Sequence, residues 1–246
     1  MNMPPEAYMF GLPYEYYEKY KIRKYGFHGT SHKFVSQRVA EVMNKPIEDL
    51  KIITCHLGQG ASLCAVKNGK SIDTSMGLTP LAGVPMGSRS GDIDPSIVTF
   101  LMEKEGLSAK EMDNILNKKS GKLGLSGISA DDRDIEKEIP NGNKRAELAI
   151  DNFVYQVVGY IGRFVAQMNG VDVITFAGGV GENGIDVREQ ICEYLEFLGV
   201  KINKEANNCR GKEVEISTSD SKVKVFVIPT NEELMIARDT KELITK

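Results

Sequence analysis

The sequence has little net charge and no long hydrophobic run. Its 246 residues carry a formal net charge of −3 at pH 7, which argues against a protein that binds nucleic acid through a basic surface. No apolar run is long enough to span a bilayer, so we expect no membrane partner. Met1–Met9 lacks the basic and apolar regions of a signal peptide, so no secretory leader is expected.

Cysteines are few and show no metal-binding or disulfide pattern. The four are scattered, without a C-x-x-C pair, at Cys55, Cys64, Cys192 and Cys209. Such spacing favours reduced thiols in a cytoplasmic protein over a disulfide framework or a zinc site.

Short apolar strands alternate with amphipathic helices, and 41% of the residues are hydrophobic, enough for a sizeable core. This alternation is typical of an α/β fold with a mixed sheet and flanking helices. Strands are predicted at Lys51–Leu57, Ala61–Val66, Ser71–Thr74, Val171–Phe176, Val214–Ser217 and Val223–Ile228. Helices are predicted at Tyr14–Lys24, between Thr30 and Pro46, between Asp94 and Gly106, from Ser108, at Lys144–Met168, at Val187–Leu198 and after Pro229. No linker rich in Pro, Gly or Ser divides the chain.

Turn and cap residues mark several of these boundaries. Asn68-Gly69 favours a β-hairpin, because both turn residues must accept a positive φ. Asp94-Pro95 is typical of a helix N-terminus, and Ser108–Glu111 is typical of a capping box. Thr30 or Ser31 is expected to cap the helix that follows.

Two glycine-containing loops follow predicted strands. Gly58 and Gly60 can bring backbone N–H groups close to phosphate oxygens, although a tight β-turn would need the same residues. Gly178–Asn183 lies between a strand and a helix, where nucleotides commonly bind. It does not match the G-x-G-x-x-G or P-loop spacing, and its alternative is a plain strand-to-helix turn.

Two further loops carry an arginine and a histidine. Arg89 lies among small residues, so it can bind phosphate or carboxylate oxygens, or it can pair at the surface with Asp92 or Asp94. His28 precedes a helix start, whereas His32 on the helix is expected to be structural. A histidine and an arginine together suit the stabilisation of charge on a phosphoryl group in transfer.

Six stretches of the sequence resemble the acetate kinase family, in the family's order and with similar spacing. The resemblance covers essentially the whole chain and rests on long, unusual motifs. The stretches are Gly26–His32, Thr74–Pro80, Met86–Pro95, Ser129–Asp134, Ala177–Asn183 and Pro229–Glu233.

The resemblance implies a ribonuclease H-like domain of the actin, Hsp70 and sugar-kinase superfamily, whose members have two similar domains around a nucleotide cleft. It implies reversible transfer of the γ-phosphoryl group of ATP to acetate, giving acetyl phosphate and ADP. It further implies magnesium or manganese as the metal and a cytoplasmic homodimer that acts in acetyl-CoA biosynthesis.

The resemblance also assigns roles to single residues. It implies that His28 and Arg89 stabilise the transition state, that Phe27, Pro80 and Arg89 bind the short carboxylate, and that Glu232 is tied to the metal. The residues implied to contact the nucleotide are His56, Gly58, Gln59, Gly60, Asp131, Asp132, Arg133, Gly178, Gly179, Gly181, Glu182 and Asn183.

The sequence departs from the family pattern in two ways. Gln59 stands where most relatives have asparagine, which keeps the amide but adds a methylene. The family also has an N-terminal domain with a first phosphate loop, a substrate-binding arginine and a catalytic aspartate, so we expect this chain to begin after that domain and to be inactive alone. Residues 1–233 are interpreted as the C-terminal domain, and 234–246 as a helix that in the family packs on the N-terminal domain. The helix start is predicted as a Thr230–Glu233 capping box.

Two alternatives remain open. Propionate kinases have closely similar motifs, and the pocket around Phe27 and Pro80 would decide between the two activities. A non-catalytic nucleotide-binding or dimer-forming domain is the alternative from another class, because part of the catalytic machinery is missing.

Overall fold

The computed structural model describes residues 3–245 and contains a six-stranded mixed sheet. Its strands are β1 (Lys51–Leu57), β2 (Ala61–Lys67), β3 (Lys70–Thr74), β4 (Val173–Ala177), β5 (Val214–Glu215) and β6 (Lys224–Val227). The strand order is β3-β2-β1-β4-β6-β5. β4 runs parallel to both β1 and β6, whereas the β1–β2, β2–β3 and β5–β6 pairs are antiparallel. The predicted α/β class with a mixed sheet is confirmed.

Helices cover both faces of this sheet. They are α1 (Pro5–Tyr8), α2 (Tyr14–Tyr20), α3 (Gly29–Val42), α4 (Pro95–Glu105), α5 (Ala109–Lys118), α6 (Gly121–Ser126), α7 (Asp132–Glu136), α8 (Lys144–Met168), α9 (Gly178–Asn183), α10 (Ile185–Tyr194), α11 (Lys204–Asn207) and α12 (Glu232–Ile244). Short 3₁₀ helices lie at Ile47–Asp49 and Glu196–Leu198.

Each face of the sheet has its own apolar core. Ile53 of β1 belongs to the core under α8, and the preceding Ile52 belongs to the core under α3, because successive side chains of a strand point to opposite faces. The stripe on α8 that faces the sheet has helical spacing. Its fully buried members include Phe153, Val157, Ile161 and Phe164.

The β2–β3 hairpin forms at the predicted turn. Asn68 and Gly69 have φ values of 54° and 72°, and Lys67 pairs with Lys70 across the turn. Asn68 Nδ2 also donates to the carbonyl of Glu48 at 2.7 Å. The turn is therefore fixed both by its own backbone and by the segment before β1.

The prediction that Thr30 or Ser31 caps α3 is wrong. The helix already includes both residues, and His28 is at its N-cap without a side-chain capping bond. Ser31 Oγ instead lies 2.8 Å from Nδ1 of His56. The Ser31 hydroxyl, which the local sequence pattern assigned to the helix end, is therefore bonded to His56, a residue distant in sequence.

The glycine-rich turn after β4 is itself a helical turn, α9. The next helix, α10, begins at Ile185, two residues before the predicted start at Val187. It ends at Tyr194, and the 3₁₀ turn Glu196–Leu198 completes the predicted range. Gly199, at a φ of 84°, ends the segment.

The predicted Thr230–Glu233 capping box of α12 is wrong. Asn231 Oδ1 accepts the capping bond from the N–H of Leu234 at 2.9 Å. Thr230 Oγ1 is buried without a hydrogen-bond partner among the described residues. The asparagine reaches the N–H three residues ahead, which moves the cap one residue later.

The first turns of α12 pack on α3. Met235 is buried in the core under α3, and Asp239 pairs with Lys33 of α3 at 2.6 Å. Further along, Leu243 and Ile244 are 75% and 78% exposed. The apolar side of this helix is therefore only partly covered.

Among the residues that the structure describes, no helix is both long and apolar enough to cross a membrane. The four cysteines are free thiols. Three residues lie outside the part of the chain that the structure describes: Met1, Asn2 and Lys246. The first two belong to the N-terminal stretch in which no secretory leader is expected and to the predicted segment 1–233, and Lys246 belongs to the predicted segment 234–246.

Candidate active site

His28 lies at the N-terminus of α3 and is held by the neighbouring strand. Its φ of 57° is uncommon for a residue other than glycine. Its Nδ1 lies 2.8 Å from Oγ of Ser62, in β2. Sparsely populated backbone conformations persist where the surroundings fix them, and they cluster at functional sites.

Three histidines meet beside Ser62. The rings of His28 and His56 stack, with centroids 4.2 Å apart and planes inclined by 24°. His32 Nε2 lies 2.7 Å from Ser62 Oγ. Burial, with a smaller effect of the neighbouring histidines, lowers the pKa of His32 to about 3, and burial beside His28 lowers the pKa of His56 to about 4. Both rings are therefore neutral at neutral pH.

Arg89 reaches His28 from the long loop 75–92. Its Nη1 donates to the carbonyl of Pro80 at 3.1 Å. A Cβ placed on Gly60 would lie 3.4 Å from Arg89 Nη1 and 3.5 Å from His28 Nε2. The two predicted catalytic side chains therefore converge over Gly60, which has no side chain to fill the space between them.

The two aspartates that were alternative partners for Arg89 are bonded elsewhere. Asp92 accepts a hydrogen bond from the hydroxyl of Tyr160 and another from a backbone N–H. Asp94 caps α4 by accepting from the N–H of Ser96 at 2.8 Å. The surface-pair interpretation of Arg89 therefore has no support in these contacts.

Phe27 and Pro80 have different surroundings. Phe27 is 38% exposed and lines a recess of about 470 Å³ beside α3, whose lining does not include Pro80. Pro80 instead lies at Arg89, through its carbonyl.

A cleft of about 540 Å³ lies between the loop after β1, α7 and α9. Its size is within the usual range of ligand pockets. The predicted nucleotide residues that line it are Gly58, Gln59, Asp131, Asp132, Arg133, Gly179 and Asn183. Three stretches that are far apart in sequence therefore meet in one cleft.

The glycine-containing loops meet because the strands before them are parallel neighbours. β1 pairs with β4, so the loops after both strands leave the same edge of the sheet. Gly178 turns the chain at a φ of 75°, and a Cβ there would approach the carbonyl of Leu57 to 2.8 Å. A Cβ built on Gly58 would lie 3.7 Å from the backbone N of Gly179, so the two loops approach each other to van der Waals distance.

The other predicted nucleotide residues do not line the cleft, and some of them support its walls. Glu182 Oε1 accepts from the N–H groups of Gly178 at 2.9 Å and Thr230 at 3.3 Å. The carbonyl of Gly181 accepts from the buried guanidinium of Arg188 at 2.9 Å. The predicted residues outside the lining are His56, Gly60, Gly178, Gly181 and Glu182.

The α7 stretch presents charges at the opposite wall. Asp131 caps α7, and its hydrogen bonds to the side chain and N–H of Arg133 lower its pKa to about 2. Asp132 is buried and pairs with Lys122, whose ammonium lies 4.5 Å from the centroid of the Phe153 ring. Lys122 is only 1% exposed, so this wall is anchored in the core.

Gln59, the departure from the family pattern, lies against the loop that carries Arg89. The N–H of Gly87 donates to the Gln59 carbonyl at 3.1 Å. A Cβ on Gly87 would come within 2.2 Å of Gln59 Oε1. The longer side chain is therefore accommodated because residue 87 is glycine.

Four residues of the lining were missed in the sequence. Glu136 follows Asp132 by one helical turn, so helical spacing could have identified it. Arg210 gives no local signal, since it enters the cleft by donating to the carbonyl of Asn183. The residues missed are Glu136, Val180, Gly184 and Arg210.

Glu232, at the start of α12, is electrostatically coupled to His28. Burial lowers the pKa of His28, the carboxylate of Glu232 opposes that shift, and the charge of Arg89 adds to it. Among the described residues, no three His, Cys, Asp or Glu side chains are grouped to hold a metal by themselves. A single carboxylate that acts electrostatically on His28 nevertheless fits magnesium, which commonly takes one or two carboxylates together with phosphate and water oxygens.

Solved structures of two kinases resemble this chain over nearly its full length. The acetate kinase of Porphyromonas gingivalis superposes with a TM-score of 0.96 at 50% identity, covering 98% of this chain and 61% of that one. A propionate kinase from Francisella tularensis superposes with a TM-score of 0.90 at 43% identity, covering 96% of this chain and 60% of that one. With the strand order, these likenesses confirm the predicted ribonuclease H-like, actin-like ATPase fold.

Curated sequences give the same result. The acetate kinase of Halothermothrix orenii is 62% identical over 243 residues, which are 99% of this chain and 61% of that protein. The acetate kinase of Thermoanaerobacter pseudethanolicus is 65% identical over 244 residues, with the same two coverages. The chain thus spans about 61% of the length of these relatives. Because the model of the acetokinase family matches residues 1–238, the chain belongs to the acetokinase family.

Proposed function

We propose that this chain forms the nucleotide site and part of the catalytic site of an acetate kinase. The observation that carries the proposal is the convergence of His28 and Arg89 over Gly60, next to Gln59 in the lining of the cleft. Such an enzyme transfers the γ-phosphoryl group of ATP reversibly to acetate.

The cleft is the proposed site of ATP or ADP. Gly58 and Gly179 line this cleft and offer backbone that phosphates can approach closely. Asp131 and Arg133 border the other wall, which suits the adenosine. Arg210 adds a cation to this cleft.

In the proposed reaction, an acetate oxygen attacks the γ-phosphorus while the bond to the bridging oxygen of ADP breaks. The charge that spreads over the equatorial oxygens needs preorganised donors and cations. Arg89 supplies a permanent cation and His28 a ring N–H. A magnesium or manganese ion held by Glu232 would neutralise further charge on the phosphates.

Acetate and propionate are both candidates for the carboxylate. Acetate is favoured by the curated relatives described above, whereas the likeness to a propionate kinase keeps the longer substrate as an alternative. Phe27, Pro80 and Arg89 are the proposed carboxylate-binding residues, and the relative kcat/KM values for the two acids would decide.

A direct experiment traps acyl phosphate with hydroxylamine after incubation with ATP, magnesium and acetate. We expect no turnover from this chain alone, because it spans about 61% of the length of its acetate kinase relatives and transfer needs catalytic groups positioned around both substrates. We expect turnover when the chain is fused behind the N-terminal portion of one of its acetate kinase relatives. A folded fusion that binds ADP but forms no acyl phosphate would favour the rival, a non-catalytic nucleotide-binding or dimer-forming domain.

The remaining parts of the proposal are a homodimer and a cytoplasmic location, both implied by the resemblance to acetate kinases. Light scattering coupled to size-exclusion chromatography would test the dimer. A single 27.2 kDa species at all concentrations would contradict it for this chain.

A further inference from the structure

A continuous series of hydrogen bonds connects the sheet to His28. Thr54 Oγ1 of β1 lies 2.7 Å from His32 Nδ1, and His32 Nε2 lies 2.7 Å from Ser62 Oγ. Ser62 Oγ lies 2.8 Å from His28 Nδ1. Thr54, His32 and Ser62 are at most 5% exposed, so water does not compete for their protons. We refer to Thr54, His32, Ser62 and His28 as the relay.

A relay in which every proton is used in a bond can run in only two directions, because each hydroxyl has one proton and each neutral imidazole has one N–H. If both rings instead donated to Ser62, the buried Ser62 O–H would have no acceptor within the relay, which is costly. Running toward the sheet, the Thr54 hydroxyl would donate to the carbonyl of Cys64 at 3.5 Å. That distance exceeds the usual range for O–H···O bonds, and a buried donor without a good acceptor is costly.

Running toward His28, every donor has a short bond. The Thr54 hydroxyl donates to Nδ1 of His32, and Nε2–H of His32 donates to Ser62. The Ser62 hydroxyl then donates to Nδ1 of His28. This direction leaves the proton of the His28 ring on Nε2, the atom that faces the space over Gly60 and Arg89.

The protonation states of the rings are consistent with this direction. Burial lowers the pKa of His32 to about 3, so this ring carries a single N–H at neutral pH. Burial also lowers the pKa of His28, and the charge of Arg89 adds to the shift while Glu232 opposes it. A neutral ring at His28 avoids a second positive charge beside Arg89.

We infer that Thr54, His32 and Ser62 are positioning residues that hold His28 as the tautomer protonated at Nε2. The functional meaning rests on the proposed function, since the N–H would donate to the phosphoryl oxygens in transfer. Which nitrogen of a histidine carries the proton is generally set by the partner of the other nitrogen. Here that partner is the hydroxyl of Ser62.

The tautomers can be measured in the full chain by long-range proton–nitrogen NMR correlation of the imidazole rings. The chain contains only 3 histidines, and substitution of each in turn assigns them. At neutral pH we expect His28 and His32 each to have a protonated Nε2 and an unprotonated Nδ1. A protonated Nδ1 on His28 would overturn the inference without any variant being needed.

Ser62→Ala tests the cause of the tautomer. Removal of the donor should let the Nδ1-protonated form of His28 appear. Thr54→Val, which keeps the side-chain shape, should change the tautomer of His32. Ser31→Ala is the matched control, because Ser31 bonds His56 and not the relay, so the His28 tautomer should stay as it is. If the His28 tautomer is unchanged in a folded Ser62→Ala protein, Ser62 does not determine that tautomer.

Kinetics of the active fusion separate this inference from the proposed function. Ser62→Ala should lower kcat about tenfold or more, with little change in the KM for ATP, because the donor acts on the transition state. An inactive fusion with the expected tautomers would refute the kinase proposal and keep the relay. An active fusion with Nδ1-protonated His28 would refute the relay alone.

Discussion

Glu182 accepts a hydrogen bond from the backbone N–H of Thr230, 48 residues further along the chain. The same Oε1 accepts from the N–H of Gly178. One carboxylate oxygen thus joins the turn after β4, which forms a wall of the cleft, to the start of α12, which carries Glu232. The two sides of the proposed site are tied together through this contact.

Glu182→Ala should therefore destabilise the chain. It leaves two backbone N–H groups without their acceptor, which costs about 1–3 kcal/mol for each group that stays buried. Urea unfolding measures the loss, and Glu182→Gln should recover part of it because the amide oxygen can still accept. Glu233→Ala, at an exposed position in the first turn of α12, is the control and should change little. Equal stability of the Glu182→Ala and Glu233→Ala proteins would contradict the contact.

Alanine substitutions at two adjacent glycines should affect different properties, stability in one case and ADP binding in the other. Gly178→Ala puts a Cβ at a φ of 75° and 2.8 Å from the Leu57 carbonyl, so stability should fall by more than about 1 kcal/mol. A Cβ on Gly179 meets nothing within 4 Å, so Gly179→Ala should fold normally. Because Gly179 lines the cleft, that variant should instead bind ADP more weakly.

Thermal melting and calorimetric titration with ADP distinguish the two effects. A Gly178→Ala protein as stable as the parent would show that the turn is not constrained as described. A Gly179→Ala protein with unchanged ADP affinity would show that the nucleotide does not approach this backbone.

The buried histidines should make stability depend on pH. Their pKa values of about 3 for His32 and about 4 for His56 lie below the ordinary value of 6.5. As pH falls below 6.5 the unfolded chain takes up protons that the folded chain does not, so the free energy of unfolding decreases. Between about pH 7.5 and about pH 5.5, each histidine should cost roughly 1.4 kcal/mol.

Urea titrations at the two pH values measure this loss. His32→Gln lowers stability at both pH values but should reduce the difference between them, since one titrating group has gone. A free energy of unfolding that rises on acidification in this range would contradict the burial of the two rings.

Arg188 should matter more for stability than any exposed arginine. It is completely buried, and it donates to the carbonyls of Gly181, Asn207 and Cys209 and to the side chain of Asn207. Arg188→Ala leaves these acceptors buried and unpaired, which should cost about 3 kcal/mol or more. Arg38→Ala, which removes an exposed pair with Glu213, is the control and should hardly change the melting temperature. An equally small change in melting temperature for Arg188→Ala would show that the hydrogen bond of Arg188 to Gly181 does not stabilise α9.

Strong local patterns made parts of the fold predictable. β1 and α8 have the bounds that their apolar periodicity indicated, and the β2–β3 turn follows from Asn68-Gly69. The start of α3 did not follow from local rules, because the hydroxyl of Ser31 bonds His56, a residue on a strand. Local sequence cannot reveal a partner that only the folded sheet brings near.

Residues from long, contiguous motifs are those that the structure brings together in the cleft. Asp131–Arg133 and Gly179, which lie in such motifs, line the cleft together. Arg210 also lines it, through a contact with Asn183 that sequence periodicity does not predict. Glu182 lies in a recognisable motif but points at backbone N–H groups, so motif membership alone does not distinguish a ligand contact from a structural one.

The most direct test of the proposed function is kcat for acetyl phosphate formation in the active fusion with His28→Ala or Arg89→Ala. Arg89→Ala should keep a melting temperature close to that of the parent, whereas His28→Ala also removes the acceptor of the buried Ser62 hydroxyl and should lower the melting temperature modestly. Loss of a preorganised donor or cation should lower kcat by about 100-fold or more in each. Near-normal turnover in either folded variant would contradict the assignment of that residue to the transition state.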